Sequence, residues 1–378
     1  MFNAMSLAAD AAQRGGHVGA GFSKGSVIPV EKTSVGKPAV KFVTPASSQF
    51  QVLGYDWDAD GNMYVLRFNS NNLYIYLTKF LPDGTESTSW QLSTGNSAAK
   101  PFNFAMTATT IYFCFQGYLY KFTLDLSVAP TTTVLPNISG APNINQSATV
   151  QWVGLVVDEA NNCFYTIYNG DTYLRKFRLS DCAALWATNI SQWSNGYWEQ
   201  QITLNGDKSA VFVSGRGVSG GEQTMWRVSS AGVITHTLKV SNDGNSPNGR
   251  HGVNLTPDGN YLLYGDWYGT TSAQVLKINQ ANLTIAETWP YAYAHAAIQD
   301  KKGDLYFFSL DTGGNPGTII EKFDSTRATK KYSVYGATYR RMALCKLNEK
   351  LGLLGYVNDS YGSYNTGVSS AVVAVKIL

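Results

Sequence analysis

The chain has 378 residues, 15% charged and 13% aromatic, with 36 glycines and a formal net charge of +3 from 29 basic and 26 acidic side chains. That composition is too apolar for a disordered chain. The basic residues are dispersed rather than gathered in a stripe that could follow a phosphate backbone, and no apolar run reaches the length of a membrane span, so neither nucleic acid nor membrane insertion is expected.

Residues 1–36 are rich in Ala, Gly, Ser and Val, with no periodic apolar face beyond a short helix signal at Ser6 to Gln13. They read as an extended N-terminal arm without structure of its own, expected to be held by another protein subunit or a larger assembly. The first sixteen, MFNAMSLAADAAQRGG, lack the basic start and apolar stretch of a signal peptide. Synthesis in a cytoplasm with no export address is therefore expected. KPAVKFVT, Lys37 to Thr44, then alternates as a strand does.

From residue 50 onward a pattern repeats. LTKF at 77–80 recurs as LYKF ending at Phe122, LRKF at Phe177, MWRV at Val228, VLKI at Ile278, IEKF at Phe323 and AVKI at Ile377. The basic residues stand at 79, 121, 176, 227, 277, 322 and 376, a period of repeat-protein size. A turn followed by a β-prone run precedes each copy. It is clearest in DADGNMYVLRF from Asp58, TPDGNYLLYG from Thr256 and DKKGDLYFFSL from Asp300. DEANNCFYTIY from Asp158 and LNEKLGLLGYV from Leu347 are weaker forms, and TATTIYFCF and LNGDKSAVFV weaker still. Gly or Asn supplies the positive φ of a tight hairpin, and alternating aromatic and aliphatic residues suit a half-buried strand. The units run over about 50–92, 100–135, 150–190, 198–240, 250–290, 293–334 and 337–378. Each reads as strand, hairpin, strand, loop, basic-marked strand, outer strand. The repeating Lys is expected to lay its stem on the sheet and its ammonium in water.

Units this thin must stack on their neighbours to bury their faces. Across about residues 50–378 the motifs D-x-x-G-N-h-Y-h and h-x-K-h resemble the seven-bladed β-propellers with YVTN or quinoprotein-like repeats. The resemblance implies an all-β ring of four-stranded antiparallel blades, a scaffold that hosts enzymes, adhesins and assembly hubs alike. The seventh unit reaches Leu378 directly after VVAVKIL, so the strand at 37–44 is expected to complete the last blade and close the ring.

Four cysteines, Cys114, Cys163, Cys182 and Cys345, show no CxxC spacing. Cys114 and Cys163 sit in apolar runs that suit buried thiols, while Cys163 and Cys182 fall in one unit where pairing is an alternative. Asp56, Asp58 and Asp60 are explained by a turn, since the later bidentate Glu of a calcium loop is missing. The nucleophile elbow, P-loop, H-E-x-x-H and dinucleotide patterns are absent, and no cofactor is expected.

Eight residues back from each turn stand Leu53, Pro101, Val153, Glu199, His251, His295 and Arg341, which should ring the channel mouth where the innermost strands begin. Glu199, His251 and His295 are ligand types for a divalent metal, with Arg341 placed for an anion. A wet mouth accommodates the same residues without metal. Three connections are aromatic: QWSNGYW with Trp193, Tyr197 and Trp198, GDWYG with Trp267 and Tyr268, and DSYGSYN with Tyr361 and Tyr364. Such rings beside Asn, Ser and Asp suit sugar faces or protein interfaces, with about half expected to pack between blades.

Two functions follow. The first is a non-enzymatic structural and binding propeller, a bacteriophage virion component of tail or capsid that acts in assembly through its arm or in attachment to the host surface or its glycan. The alternative is a metal-dependent lyase or hydrolase at the channel mouth, with His251 or His295 as acid or base and Glu199 and a His as ligands.

Overall fold

Strand follows strand wherever the sequence alternates turn signals with aromatic and β-branched runs. The structure, a computed structural model, describes residues 27–30, 39–43, 50–69, 71–95, 103–144, 152–168, 172–190, 201–216, 223–241, 253–266, 274–290, 294–311, 317–327, 330–337, 345–359 and 370–376. Two strands come first, β1 (Val27–Val30) and β2 (Ala39–Val43). Sheet one is β3 (Phe50–Trp57), β4 (Met63–Asn69), β5 (Tyr74–Phe80) and β6 (Glu86–Ser93). Sheet two is β7 (Ala105–Met106), β8 (Thr110–Phe115), β9 (Tyr118–Thr123) and β10 (Thr131–Val134). Sheet three is β11 (Trp152–Asp158), β12 (Cys163–Tyr168), β13 (Tyr173–Arg178) and β14 (Ala184–Asn189). Sheet four is β15 (Gln201–Leu204), β16 (Ala210–Arg216), β17 (Gln223–Ser229) and β18 (Ile234–Ser241). Sheet five is β19 (Val253–Leu255), β20 (Tyr261–Asp266), β21 (Gln274–Asn279) and β22 (Thr284–Pro290). Sheet six holds β23 (Ala294–Gln299), β24 (Leu305–Asp311), β25 (Gly317–Phe323) and β26 (Lys330–Ala337), and sheet seven β27 (Lys346–Asn348), β28 (Leu353–Asp359) and β29 (Ser370–Lys376).

Within each sheet these strands pair antiparallel in chain order, the first innermost. β2 pairs with β29 as the fourth strand of sheet seven, Ala39 opposite Lys376 and Val43 opposite Val373. β1 pairs with β26 as a fifth strand of sheet six, Val27 opposite Gly336. Four residues of the segment read as an arm without structure are thus a strand, and the rest of 1–36, with the helix signal at 6–13, lies outside the described residues.

The core lies between sheets. Leu66, Phe68 and Ile75 of sheet one pack with Phe113, Phe115 and Phe122 of sheet two, and Tyr165 and Ile167 of sheet three with Val211 and Trp226 of sheet four. Val52, Tyr55 and Trp57 of sheet one meet Leu353 and Val372 of sheet seven, so the last sheet packs on the first. Close approach there requires glycine: a Cβ on Gly355 would fall 2.3 Å from Cη2 of Trp57. Cys163 and Cys182 are buried in different clusters, one facing sheet four and one facing sheet two. They stand on opposite sides of sheet three and remain free thiols.

Each unit caps its first hairpin with a side-chain oxygen at the same place. Asp58 Oδ1 accepts from the N–H groups of Asp60 and Asn62 at 3.0 and 2.9 Å, and Asp300 Oδ1 accepts from those of Lys302 and Asp304. Thr107, Asp158, Asn205, Thr256 and Asn348 do the same for the N–H groups of Thr110, Asn161, Ala210, Tyr261 and Leu351. A backbone donor that the tight turn would strand is satisfied locally, which is why Asp, Asn and Thr fill this position.

The repeating basic residue holds sheets together. Lys79, Lys121, Lys176 and Lys322 stand directly opposite Tyr64, Tyr112, Tyr165 and Tyr306, with ammonium groups 4.9–5.9 Å from the ring centroids. Lys79 also donates to Leu124 O, Lys176 to Ser230 O at 2.9 Å and Arg227 to Gln280 O at 3.1 Å, each a carbonyl of the following sheet. The expectation of a water-directed ammonium fits Lys121, which is exposed, and is corrected for Lys322. Lys322 is buried, 3.1 Å from Asp304 and 3.8 Å from Asp300, because desolvating the charge is offset by two carboxylates and a ring face.

Candidate functional site

The caps give seven equivalent positions from which the innermost strands can be read. Two residues before each cap stand Asp56, Ala105, Val156, Thr203, Asn254, Ile298 and Lys346. Asp56, Thr203, Asn254, Ile298 and Lys346 line one cavity of about 540 Å³. A cavity bounded by innermost strands of five sheets lies where those strands converge, at the hairpin-turn end of a central channel. Ala105 and Val156, which contribute nothing polar, are not in its wall.

Lys346 of β27 donates to Asp56 of β3, an ion pair across the junction of sheets seven and one. Asn254 donates from Nδ2 to Ala297 O at 2.9 Å and lies 3.9 Å from Cys345 Sγ. Gln299 donates from Nε2 to Gly303 O at 3.1 Å. Lys301 and Glu349 form an outer pair at 3.6 Å. Burial pushes the Cys345 thiol up to about 12, so it stays protonated and unreactive at neutral pH. Between sheets three and four, burial alone would raise the Asp158 carboxyl, but hydrogen bonds from Asn161 and Lys208, the latter at 2.9 Å, hold it below the usual range.

Of the channel-mouth residues with metal-ligand or anion-binding side chains singled out from the sequence, one falls within the described residues. His295 is in β23, near the start of an innermost strand. Glu199, His251 and Arg341 lie outside the described residues, as do Trp193, Tyr197, Trp198, Trp267, Tyr268, Tyr361 and Tyr364. The caps also refine which positions correspond. Five residues before the cap fall His251 and His295, but Gln200 and Ala343 in units four and seven. The left-handed turn residues there are Lys208 at φ 60° and Gly352 at φ 62°, later than a count from Glu199 and Arg341 assumes. A shift of one residue reverses the side a strand residue faces. Among the described residues no three His, Cys, Asp or Glu side chains come together as a metal site.

The hairpin-end cavity was missed because its residues are unremarkable alone, and only the cap alignment brings Asp56, Thr203, Asn254 and Lys346 to one level. No family model and no curated protein matches the chain. Solved structures do. One is a chain of the crystal structure of the mitotic checkpoint complex, at 11% identity and TM-score 0.62, covering 95% of this chain and 96% of that one. Another is the Cps50 (Swd1) beta-propeller domain of Myceliophteria thermophila, at 8% identity and TM-score 0.56, covering 90% of this chain and all of that one. The fold is a β-propeller. A hydrazine synthase chain from Kuenenia stuttgartiensis is also similar, at 10% identity and TM-score 0.52, covering 84% of this chain and 94% of that one. At such identities the likeness extends to fold alone, and the sheets can now be called blades.

Proposed function

We propose that the chain is a non-enzymatic, seven-bladed propeller with YVTN- or quinoprotein-like repeats, acting as a binding and assembly module. In this reading Ala39–Val43 closes the ring as the outer strand of blade seven, a reading supported by its pairing with β29. The N-terminal segment before it is the contact to other subunits, and the aromatic loops at 193–198, 267–268 and 361–364 take a surface glycan. The observation that carries the proposal is that the recurring polar groups are committed to holding the ring. The basic residues are latched to the next blade or to a ring face, the carboxylates cap turns, and Asp56 and Lys346 neutralise each other in the channel. Among the described channel residues the acid and base side chains are paired with each other or cap turns, which leaves no free acid–base couple of the kind that general acid–base catalysis uses.

The context that best fits such a module is a bacteriophage virion, made in a host cytoplasm and assembled through extended segments. Support comes from a propeller neighbour found in a multi-protein complex. Replacement of both His251 and His295 by Ala tests the class of function. Oligomer mass and retention on immobilised host-surface glycan should be unchanged. A metal-dependent lyase or hydrolase activity in the parent chain that disappears in this variant would overturn the proposal.

A further inference from the structure

We propose that the cavity at the hairpin-turn end of the channel binds a small polyhydroxylated carboxylate, of the size and chemistry of a uronic acid. Its volume, about 540 Å³, falls within the range of small-molecule sites. The wall combines an aliphatic side, including Ile298 and Leu347, with a polar side of Thr203, Asn254, Gln299 and Lys346. Both amides are oriented: Asn254 spends its Nδ2 on Ala297 O and Gln299 its Nε2 on Gly303 O. Each therefore offers a carbonyl oxygen as an acceptor, which calls for ligand hydroxyl donors.

Charge selects the rest. The described wall carries three ammonium groups, Lys301, Lys346 and Lys350, against two carboxylates, Asp56 and Glu349. The pairs Lys346–Asp56 and Lys301–Glu349 cancel and leave Lys350 as the excess among these residues. A cation could satisfy the amide oxygens but meets a net positive wall. An inorganic anion meets the favourable charge but brings no donors for Asn254 and Gln299. A hydroxylated carboxylate supplies both, its acid group toward Lys350, the cation left unpaired among the described wall residues, and its hydroxyls toward Thr203 and the two amides, while Lys346 keeps Asp56 from repelling it.

The site is lined by residues that the assembly reading does not use and stands independently of that reading. The test is calorimetric titration of the full chain with D-glucuronate, D-glucose and sulfate. Glucuronate should bind about tenfold or more tightly than either comparator, since a charged and a neutral set of hydrogen bonds must be met together. Lys346→Gln should weaken it about tenfold, and Thr203→Val, which keeps the shape and loses the hydroxyl, about threefold with an unchanged melting temperature. Should Lys346→Gln disturb the blade seven and one junction, Thr203→Val decides alone. No binding of glucuronate, equal binding of glucose or sulfate, or glucuronate binding that Thr203→Val leaves intact would overturn the assignment.

Discussion

Replacement of Gly355 by Ala tests whether blades seven and one are packed as tightly as the structure requires. The new Cβ would stand 2.3 Å from Cη2 and 2.8 Å from Cζ2 of Trp57 and 2.9 Å from Cε2 of Tyr55, well inside the roughly 3.5–4.0 Å of ordinary carbon contact. Neither ring can withdraw: Trp57 is 5% and Tyr55 1% exposed, and they meet edge to face at 5.4 Å. Overpacking of this kind costs about 1–3 kcal/mol, against a gain of roughly 0.4–1 kcal/mol from a less mobile unfolded chain. Gly206→Ala is the control, because its nearest non-neighbour atom is Gly259 Cα at 3.8 Å. Urea unfolding followed by tryptophan fluorescence should show Gly355→Ala less stable than the parent by about 1–2 kcal/mol and Gly206→Ala equal or slightly more stable. A Gly355→Ala protein unfolding at the parent midpoint would refute the packing of blade seven on blade one.

Two further outcomes are expected. Lys176→Met removes the hydrogen bond to Ser230 O and the contact with the Tyr165 ring, but Ser230 O keeps Trp186 Nε1 at 3.0 Å as a donor. Thermal unfolding should therefore register a loss of only about 1 kcal/mol, and a loss of several would mean that the latch carries the ring. Acid should destabilise the protein. Asp258 is held low first by the Thr256 hydroxyl, Glu287 first by Lys277, and Asp158 by Asn161 and Lys208 against its burial. Carboxylates depressed in the folded state stabilise it above their unfolded values of about 4 and lose that contribution as pH falls through the lower folded values. The urea midpoint should be level near neutrality and fall below about pH 4, and a midpoint that rises there would contradict these assignments.

The all-β repeat was legible in the sequence because two constraints recur: a side chain able to cap a tight turn in every unit, and a basic residue on the third strand that in five units stands opposite an aromatic of the preceding strand and in units five and seven opposite Leu263 and Leu353. The function of that basic residue was less legible. Its partner, a carbonyl about fifty residues onward, belongs to another blade, as with Lys176 and Ser230. Register was lost where the turns are irregular. Asn162 and Lys208 adopt the left-handed conformation that Gly61 and Gly259 adopt elsewhere, so a count anchored on glycine slips there. The strand Val27–Val30 carries no signal because four residues that include a proline have no period, and their partner Ser333–Gly336 is some three hundred residues away. The candidate cavity was equally hidden, since Asp56 and Lys346 are neighbours only after the ring has formed.

The central claim, a propeller that joins other subunits through its N-terminal segment, is tested most directly by light scattering of the full chain and of a chain beginning at Gly36. That truncation removes Val27–Val30 and keeps Ala39–Val43, so blade seven retains its fourth strand. The account predicts an oligomer for the full chain and a folded monomer for the shortened one. Equal masses for both, each a monomer, would contradict it.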